Sequence, residues 1–148
     1  QLKLLSDLGP EPLSYDFNDE VLYYASTGRS KNIKSFIMDS KVLVGVGNIY
    51  ASESLFLAGI SPKRVSGKTS KNRYQTLTHS IKKILTDAIN NGGTTLNDFS
   101  NVDGSPGYFS QVLCVYDRED MPCIRCNGKI KRIVQNQRAT YYCPKCQN

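Results

Sequence analysis

Four cysteines dominate the chemistry this chain can offer. Cys123-x2-Cys126 and Cys143-x2-Cys146 are two CxxC pairs separated by 16 residues. That spacing falls in the zinc-ribbon pattern. Each pair sets two thiolates on one tight turn. A hairpin that brings the two turns together completes a tetrahedral S4 site for one Zn²⁺. Pro122, Gly128 and Pro144 suit such turns. Disulfides and a redox CxxC are the competing readings. Two CxxC pairs in a short β-rich stretch, with no βαβ pattern around them, disfavour both. Four thiolates close the coordination shell, so the ion is expected to be structural, with no open catalytic position. Cys114 is left over and reads as a buried or half-buried thiol in a strand.

A second constellation could hold an anion. Lys34 sits on a short predicted helix, and Gly45-Val46-Gly47-Asn48-Ile49-Tyr50 opens the next one. Glycines ahead of a helix let a partner approach the backbone, and the unpaired N–H groups and dipole of a helix start favour negative charge. Asn48 can cap that helix or donate to a phosphate, and the sequence leaves both open. The zinc module adds Arg125, Lys129, Lys131, Arg132, Arg138 and Lys145, with no acidic residue between 123 and 146. Counting Zn²⁺ with four thiolates, the module stays near +4, which suits a phosphate backbone; a solvated basic surface is the plainer alternative. So small a segment draws much of its folding free energy from the metal.

These residues must be positioned by a mainly α chain. Gly9-Pro10 and Glu11-Pro12 break structure, so 1–13 reads as a leading linker. Asn18 can cap a helix over roughly 19–27 with Val21, Leu22 and Tyr24 inward, and Ser30 one near 31–38 with Ile33, Phe36 and Ile37 inward. A helix over 48–58 follows, with Ile49, Leu55, Phe56 and Leu57 available to a core and Gly59 at its C′ position. Tyr74, Leu77, Ile81, Ile84 and Ala88 mark a helix over 71–90, capped by Ser70 and ended by Gly92-Gly93. The 97–110 stretch reads as a loop, and Val112–Tyr116 as a strand. Ile130, Arg132 and Val134, then Arg138, Thr140 and Tyr142, alternate around a Gln135-Asn136-Gln137 tip.

Charge and composition narrow the partner. The 148 residues carry net charge +6, yet residues 1–28 carry −4 and the remaining 120 carry +10. A body so basic is expected to meet a polyanion. A single histidine argues against a Ser-His-Asp hydrolase and against a His-rich metal site. No apolar run of about 18 residues and no leader pattern is seen, so neither a membrane span nor export is expected. Thiolate usage adds to an expectation of a cytoplasmic, bacterial-type, nucleoid-associated protein.

The 34–60 stretch KSFIMDSKVLVGVGNIYASESLFLAGI closely resembles the helix-two-turn-helix of the formamidopyrimidine-DNA glycosylase and endonuclease VIII family. GGTTLNDFSNVDGSPGYFSQVLCVYDRED at 92–120, QRATYYCPKCQ at 137–147 and LGPEPLS at 8–14 resemble further parts of the same enzymes, in the same order. The match is nearest the branch that removes 8-oxoguanine and formamidopyrimidines from DNA. It implies a helix-two-turn-helix module over 14–111 and a β-hairpin zinc finger over 112–148.

It also implies roles. Lys34, Gly47, Asn48 and Tyr50 would belong to the DNA-binding surface, with Lys34 and Asn48 on phosphates flanking the lesion. Arg138 would grip the backbone at the damaged nucleotide. A loop over about 99–108, with Val102, Asp103, Gly104, Ser105, Gly107 and Tyr108, would close over a flipped base. The partner would be double-stranded DNA, damaged or abasic, and the protein a monomer. Two departures stand out. Ser61 replaces a frequent histidine, with little consequence expected. The family's nucleophile is an N-terminal proline on a separate β-rich domain, whereas this sequence opens Gln1-Leu2-Lys3, so these residues are expected to bind without cleaving alone. The alternative function is a stand-alone zinc-ribbon nucleic-acid binder. A structural domain with an incidental zinc site would show no salt-dependent DNA binding.

Overall fold

The computed structural model describes residues 8–91 and 113–148. The loop singled out at 99–108, the Gly92-Gly93 stop and Val112 fall outside the described residues. Four α-helices and one hairpin follow in chain order: α1 Val21–Ala25, α2 Ile33–Met38, α3 Asn48–Ala58, α4 Lys71–Asn90, then β1 Lys131–Gln135 and β2 Arg138–Tyr142. A 3-10 turn, Ser66–Lys68, precedes α4. None of the helices is long and apolar enough to cross a membrane.

Local chemistry explains most boundaries. Ser70 Oγ accepts from Arg73 N at the head of α4, as its position predicts. Gly59 ends α3 in the left-handed region at φ 75, which costs glycine nothing. The cap of α2 is Asn32, not Ser30: its Oδ1 accepts from Ser35 N at 2.8 Å. The first helix is also shorter than 19–27. Asn18 forms a turn with Glu20 N at 3.1 Å instead of a helix cap, and Tyr24 is 59% exposed on the outer side.

Two cores share α3. Leu22, Ile33, Phe36, Leu43, Leu55, Tyr74, Leu77 and Ile81 anchor the helical one. Phe56, Val115, Ile130 and Tyr141 pack with Cys123 and Cys143 in the other. Adjacent residues Leu55 and Phe56 therefore point into different cores, and seven consecutive residues, Tyr50 to Phe56, are buried. Residues 8–13 lie along the turn at 40–44, with Gly9 N donating to Ser40 O and Val44 N to Pro10 O. A Cβ on Gly9 would sit 2.3 Å from the Val42 carbonyl, so the approach requires glycine.

The hairpin is antiparallel, with Lys131 opposite Tyr142, Ile133 opposite Thr140 and Gln135 opposite Arg138. Asn136 and Gln137 close it in two left-handed residues, φ 50 and 65, the turn that matches strand twist. Val134 is 62% exposed, so its alternation with Ile130 does not mark a single buried face. No strand forms at 113–116. There the backbone bends, because its N–H groups are taken by a carboxylate from α3: Glu53 accepts from Cys114 N at 2.7 Å and from Val115 N and Tyr116 N at 2.9 Å each. Cys114 is half-buried in that bend, and burial beside Glu53 pushes its thiol up to about 11.

Candidate nucleic-acid interface and metal centre

The metal centre is built from two knuckles at one end of the hairpin. All four Sγ atoms of Cys123, Cys126, Cys143 and Cys146 lie within 4.8 Å of one another. The Cys123–Cys146 pair is 3.8 Å apart and the Cys126–Cys143 pair 3.5 Å. A tetrahedral Zn²⁺ with Zn–S bonds of about 2.3 Å needs sulfur atoms roughly 3.8 Å apart. The set fits one structural zinc, with the four cysteines as its ligands. Bound there, the ion supplies a fixed cross-link and no open coordination position. Backbone N–H groups support the thiolates: Arg125 N reaches Cys123 Sγ at 3.4 Å and Gly128 N reaches Cys126 Sγ at 3.3 Å.

Each knuckle is also tied to the C-terminal end of α3. The Arg125 guanidinium donates to Phe56 O at 3.1 Å and Leu57 O at 3.3 Å, and lies 4.5 Å over the Phe56 ring. A cation there is favoured by the helix dipole and adds a donor to Phe56 O, which also accepts from Gly59 N, and to Leu57 O. Gln147, buried, bridges the second knuckle: its Oε1 accepts from Cys143 N at 2.7 Å and its Nε2 donates to Ile60 O at 2.9 Å.

At the other end of the same helix the hairpin covers Lys34. This lysine is 1% exposed on α2. Its Nζ donates to Asn48 Oδ1 and, at 2.8 Å, to Thr140 Oγ1 of β2. Asn48 in turn donates Nδ2 to Ala139 O at 2.9 Å. These partners fix the amide orientation, since a lysine needs the oxygen and a carbonyl the nitrogen. Burial and the nearby Arg138 guanidinium push Lys34 down to about 8. Lys34, Arg138, Lys31, Ser35, Gln135 and Asn136 line one cavity of about 260 Å³, with Met38 and Asp39. Its only carboxylate among the described residues, Asp39, already pairs with Lys31 at 3.3 Å. Hydrogen bonding to Lys41 N and the Lys31 ammonium hold Asp39 below the usual range.

Beside this cluster Gly47 is the N-cap of α3, and no side chain caps the helix. A Cβ added to Gly47 would meet nothing within 4 Å, so the space before the helix is open. Asn48 is not the cap. It is the first helical residue, and its side chain serves Lys34 and Ala139. Of the residues singled out by sequence, Lys34, Gly47, Asn48 and Arg138 are brought together. Tyr50 is not: it is 8% exposed and lines an apolar cavity with Pro12, Leu13, Val44 and Leu85. Residues 102–108 lie outside the described residues. Sequence reading missed Thr140 as a Lys34 partner and missed Glu53, although a lone carboxylate in the apolar run of α3 was a visible signal.

Comparison with known proteins agrees with this arrangement. The profile of the formamidopyrimidine-DNA glycosylase H2TH domain matches residues 8–100, and that of a zinc finger found in FPG and IleRS matches 122–148. The formamidopyrimidine-DNA glycosylase of Ruthia magnifica is 61% identical over 145 residues, covering 98% of this chain and 54% of the relative. That of Idiomarina loihiensis is 56% identical over 145 residues, with the same coverage. Among solved structures, the MutM (Fpg) protein of Thermus thermophilus superposes with a TM-score of 0.86 at 36% identity, covering 99% of this chain and 56% of that one. A Lactococcus lactis Fpg bound to DNA containing an abasic site gives 0.85 at 30% identity, covering 99% and 54%. The chain thus spans about half the length of the curated relatives it matches. The two matched profiles, with which the helices, hairpin and four-cysteine cluster agree, place the chain in the formamidopyrimidine-DNA glycosylase family, of which it carries the helix-two-turn-helix domain and the zinc finger.

Proposed function

We propose that this chain grips double-stranded DNA at a damaged or abasic nucleotide, as the DNA-binding portion of a base-excision-repair glycosylase and AP lyase acting on oxidised purines. The observation that carries this reading is the Lys34 ammonium, held in a nearly dry site on two neutral oxygens with no carboxylate in ion-pair distance among the described residues. An ammonium has three donors, and two are used. A phosphate oxygen takes the third and supplies the missing charge. Asn48 Nδ2 has a second hydrogen to give, the open start of α3 adds backbone N–H groups and its dipole, and Arg138 adds a guanidinium. The Arg138 guanidinium makes no hydrogen bond or ion pair among the described residues, so it is available.

Charge of this kind gives affinity without reading sequence. In this reading the loop over about 99–108 meets the extruded base, and base removal and strand cleavage fall to the family's proline nucleophile. The protein works as a monomer on bacterial chromosomal DNA in the cytoplasm. Structures of Lactococcus lactis Fpg with abasic and Fapy-dG DNA support the partner class.

The test is fluorescence anisotropy of this chain with intact and abasic-analogue duplexes across a salt series. Each phosphate contact contributes ~0.9 to the log–log salt slope. Lys34→Ala and Arg138→Ala are each expected to lower the slope by about one. Unchanged slopes for both would remove the phosphate clamp.

A further inference from the structure

The hairpin tip is fastened to the start of α2 by a side chain that the phosphate clamp does not use. Asn136 occupies the first left-handed position of the β1–β2 turn, where asparagine or glycine suits the backbone. It does more than fill the turn. Its Oδ1 accepts from Ser35 Oγ at 2.5 Å and from Asn32 Nδ2 at 3.2 Å. Both partners belong to the start of α2, and Asn32 is its N-cap. The Asn32 amide thus caps the helix with its oxygen and holds the hairpin with its nitrogen. Next to Asn136, Gln135 Nε2 donates to Pro62 O at 3.0 Å.

The register shows what the anchored tip controls. Arg138 pairs with Gln135 across the ladder and lies two residues from Asn136. Ser35 adjoins Lys34 on α2. All four of Lys34, Ser35, Asn136 and Arg138 line the same cavity. The zinc knuckles hold the opposite end of the strands, so they fix the hairpin's existence and leave its tip to other contacts. Cys143, the first ligand of the second knuckle, lies five positions after Arg138, about 16 Å of strand. Between the two ends β2 is held by Asn48 on Ala139 O and by Lys34 on Thr140 Oγ1, so Arg138, the first residue of β2, lies on the tip side of those contacts and takes its place from the tip.

We infer that Asn136 is a positioning residue, latching the zinc-finger hairpin to the N-cap of α2 and so setting the spacing of Arg138 and Lys34 around one phosphate. The inference rests on the DNA-gripping reading above. The latch acts through Arg138 and needs no contact between Asn136 and DNA.

The experiment uses the zinc-loaded chain and two readouts, one free of DNA. The first is the titration midpoint of Lys34, followed by NMR of ¹³Cε-labelled lysine. The second is anisotropy with an abasic-analogue duplex. Asn136→Gly keeps the left-handed turn and deletes both hydrogen bonds. We expect its Lys34 midpoint to rise from about 8 toward 10.5, as the loosened hairpin lets water reach the ammonium and Arg138 moves off. Duplex affinity should fall about fivefold, and Arg138→Ala should lose roughly half its effect in the Asn136→Gly background, because the two act through one contact. Ser35→Ala removes the shorter bond from the other side and should change both readouts in the same direction.

Additive losses for Asn136→Gly and Arg138→Ala overturn the inference. So does a fall in affinity with the Lys34 midpoint unmoved, which would mean that the turn itself touches DNA. If Lys34→Ala and Arg138→Ala both bind like the unaltered chain, the phosphate reading fails instead. The Lys34 midpoint then decides the latch by itself: a raised value keeps it and an unmoved one ends it.

Discussion

Lys34 rests its ammonium on Asn48 and Thr140, and burial has already pushed its proton affinity down to about 8. Two pH effects of opposite sense follow. For DNA, the charged form is the one that binds. Raising the pH from 7 to 9 should discharge Lys34 in the free protein and weaken duplex binding, and Lys34→Met should flatten that part of the profile. Anisotropy at constant ionic strength checks it. For stability, the folded value lies below the ordinary 10.5, so the unfolded chain holds more protons between about 8 and 10.5. Lys34 should therefore make stability rise with pH across that window, against a Lys34→Met reference in denaturant melts. Lys34, Asn48 and Arg138 are legible in the sequence as residue types near glycines or on a basic hairpin. The burial of Lys34 is not, because its partner Thr140 is 106 positions away and strand packing decides it.

At the scale of elements, α3 organises the chain. Its first residue serves Lys34, its middle holds Glu53, its C-terminal end receives Arg125, and Ile60 just beyond it receives Gln147. Glu53 replaces a strand with a bend at 114–116, since three backbone N–H groups converge on its carboxylate. Glu53→Gln turns one acceptor oxygen into a donor facing those groups. We expect a loss of about 2–3 kcal/mol in urea denaturation. A loss below about 0.5 kcal/mol would show that the bend forms without the charge. The periodic helix over 71–90 and the hairpin tip can be read from sequence, because amphipathic spacing and two alternating stretches around a polar Gln135-Asn136-Gln137 tip are local signals. The bend cannot, because an apolar run such as Val112–Tyr116 looks like a strand until a distant side chain claims its donors. The shift of cap from Ser30 to Asn32 is a smaller case, in which both residue types suit the role and tertiary contacts choose.

For the whole molecule, the zinc site and the helical core share α3 but bury separate sets of side chains, so they are expected to melt separately. Chelation should strip one zinc ion, melt the 131–142 hairpin and uncover Phe56, while α4 and the core around Tyr74 and Leu77 stay helical. Far-UV circular dichroism alongside colorimetric zinc release measures both. Duplex binding should vanish with the hairpin, because Thr140 and Arg138 leave with it. Concerted loss of all helical signal would show one cooperative unit instead. The cysteine spacing makes this architecture legible at once, whereas the sharing of Leu55 and Phe56 between two cores appears only in three dimensions.

That sharing bears on how freely the chain can vary. A helix at the surface keeps a wet face, on which substitutions are nearly neutral. From Tyr50 to Phe56 α3 has no such face, and small residues at Ala51, Ser52 and Ser54 fill positions where added volume must overpack. In a library of random variants selected for folding, these seven positions should return the fewest survivors. The long α4, with His79 on its exposed face and Lys83 beyond its apolar stripe, should return many.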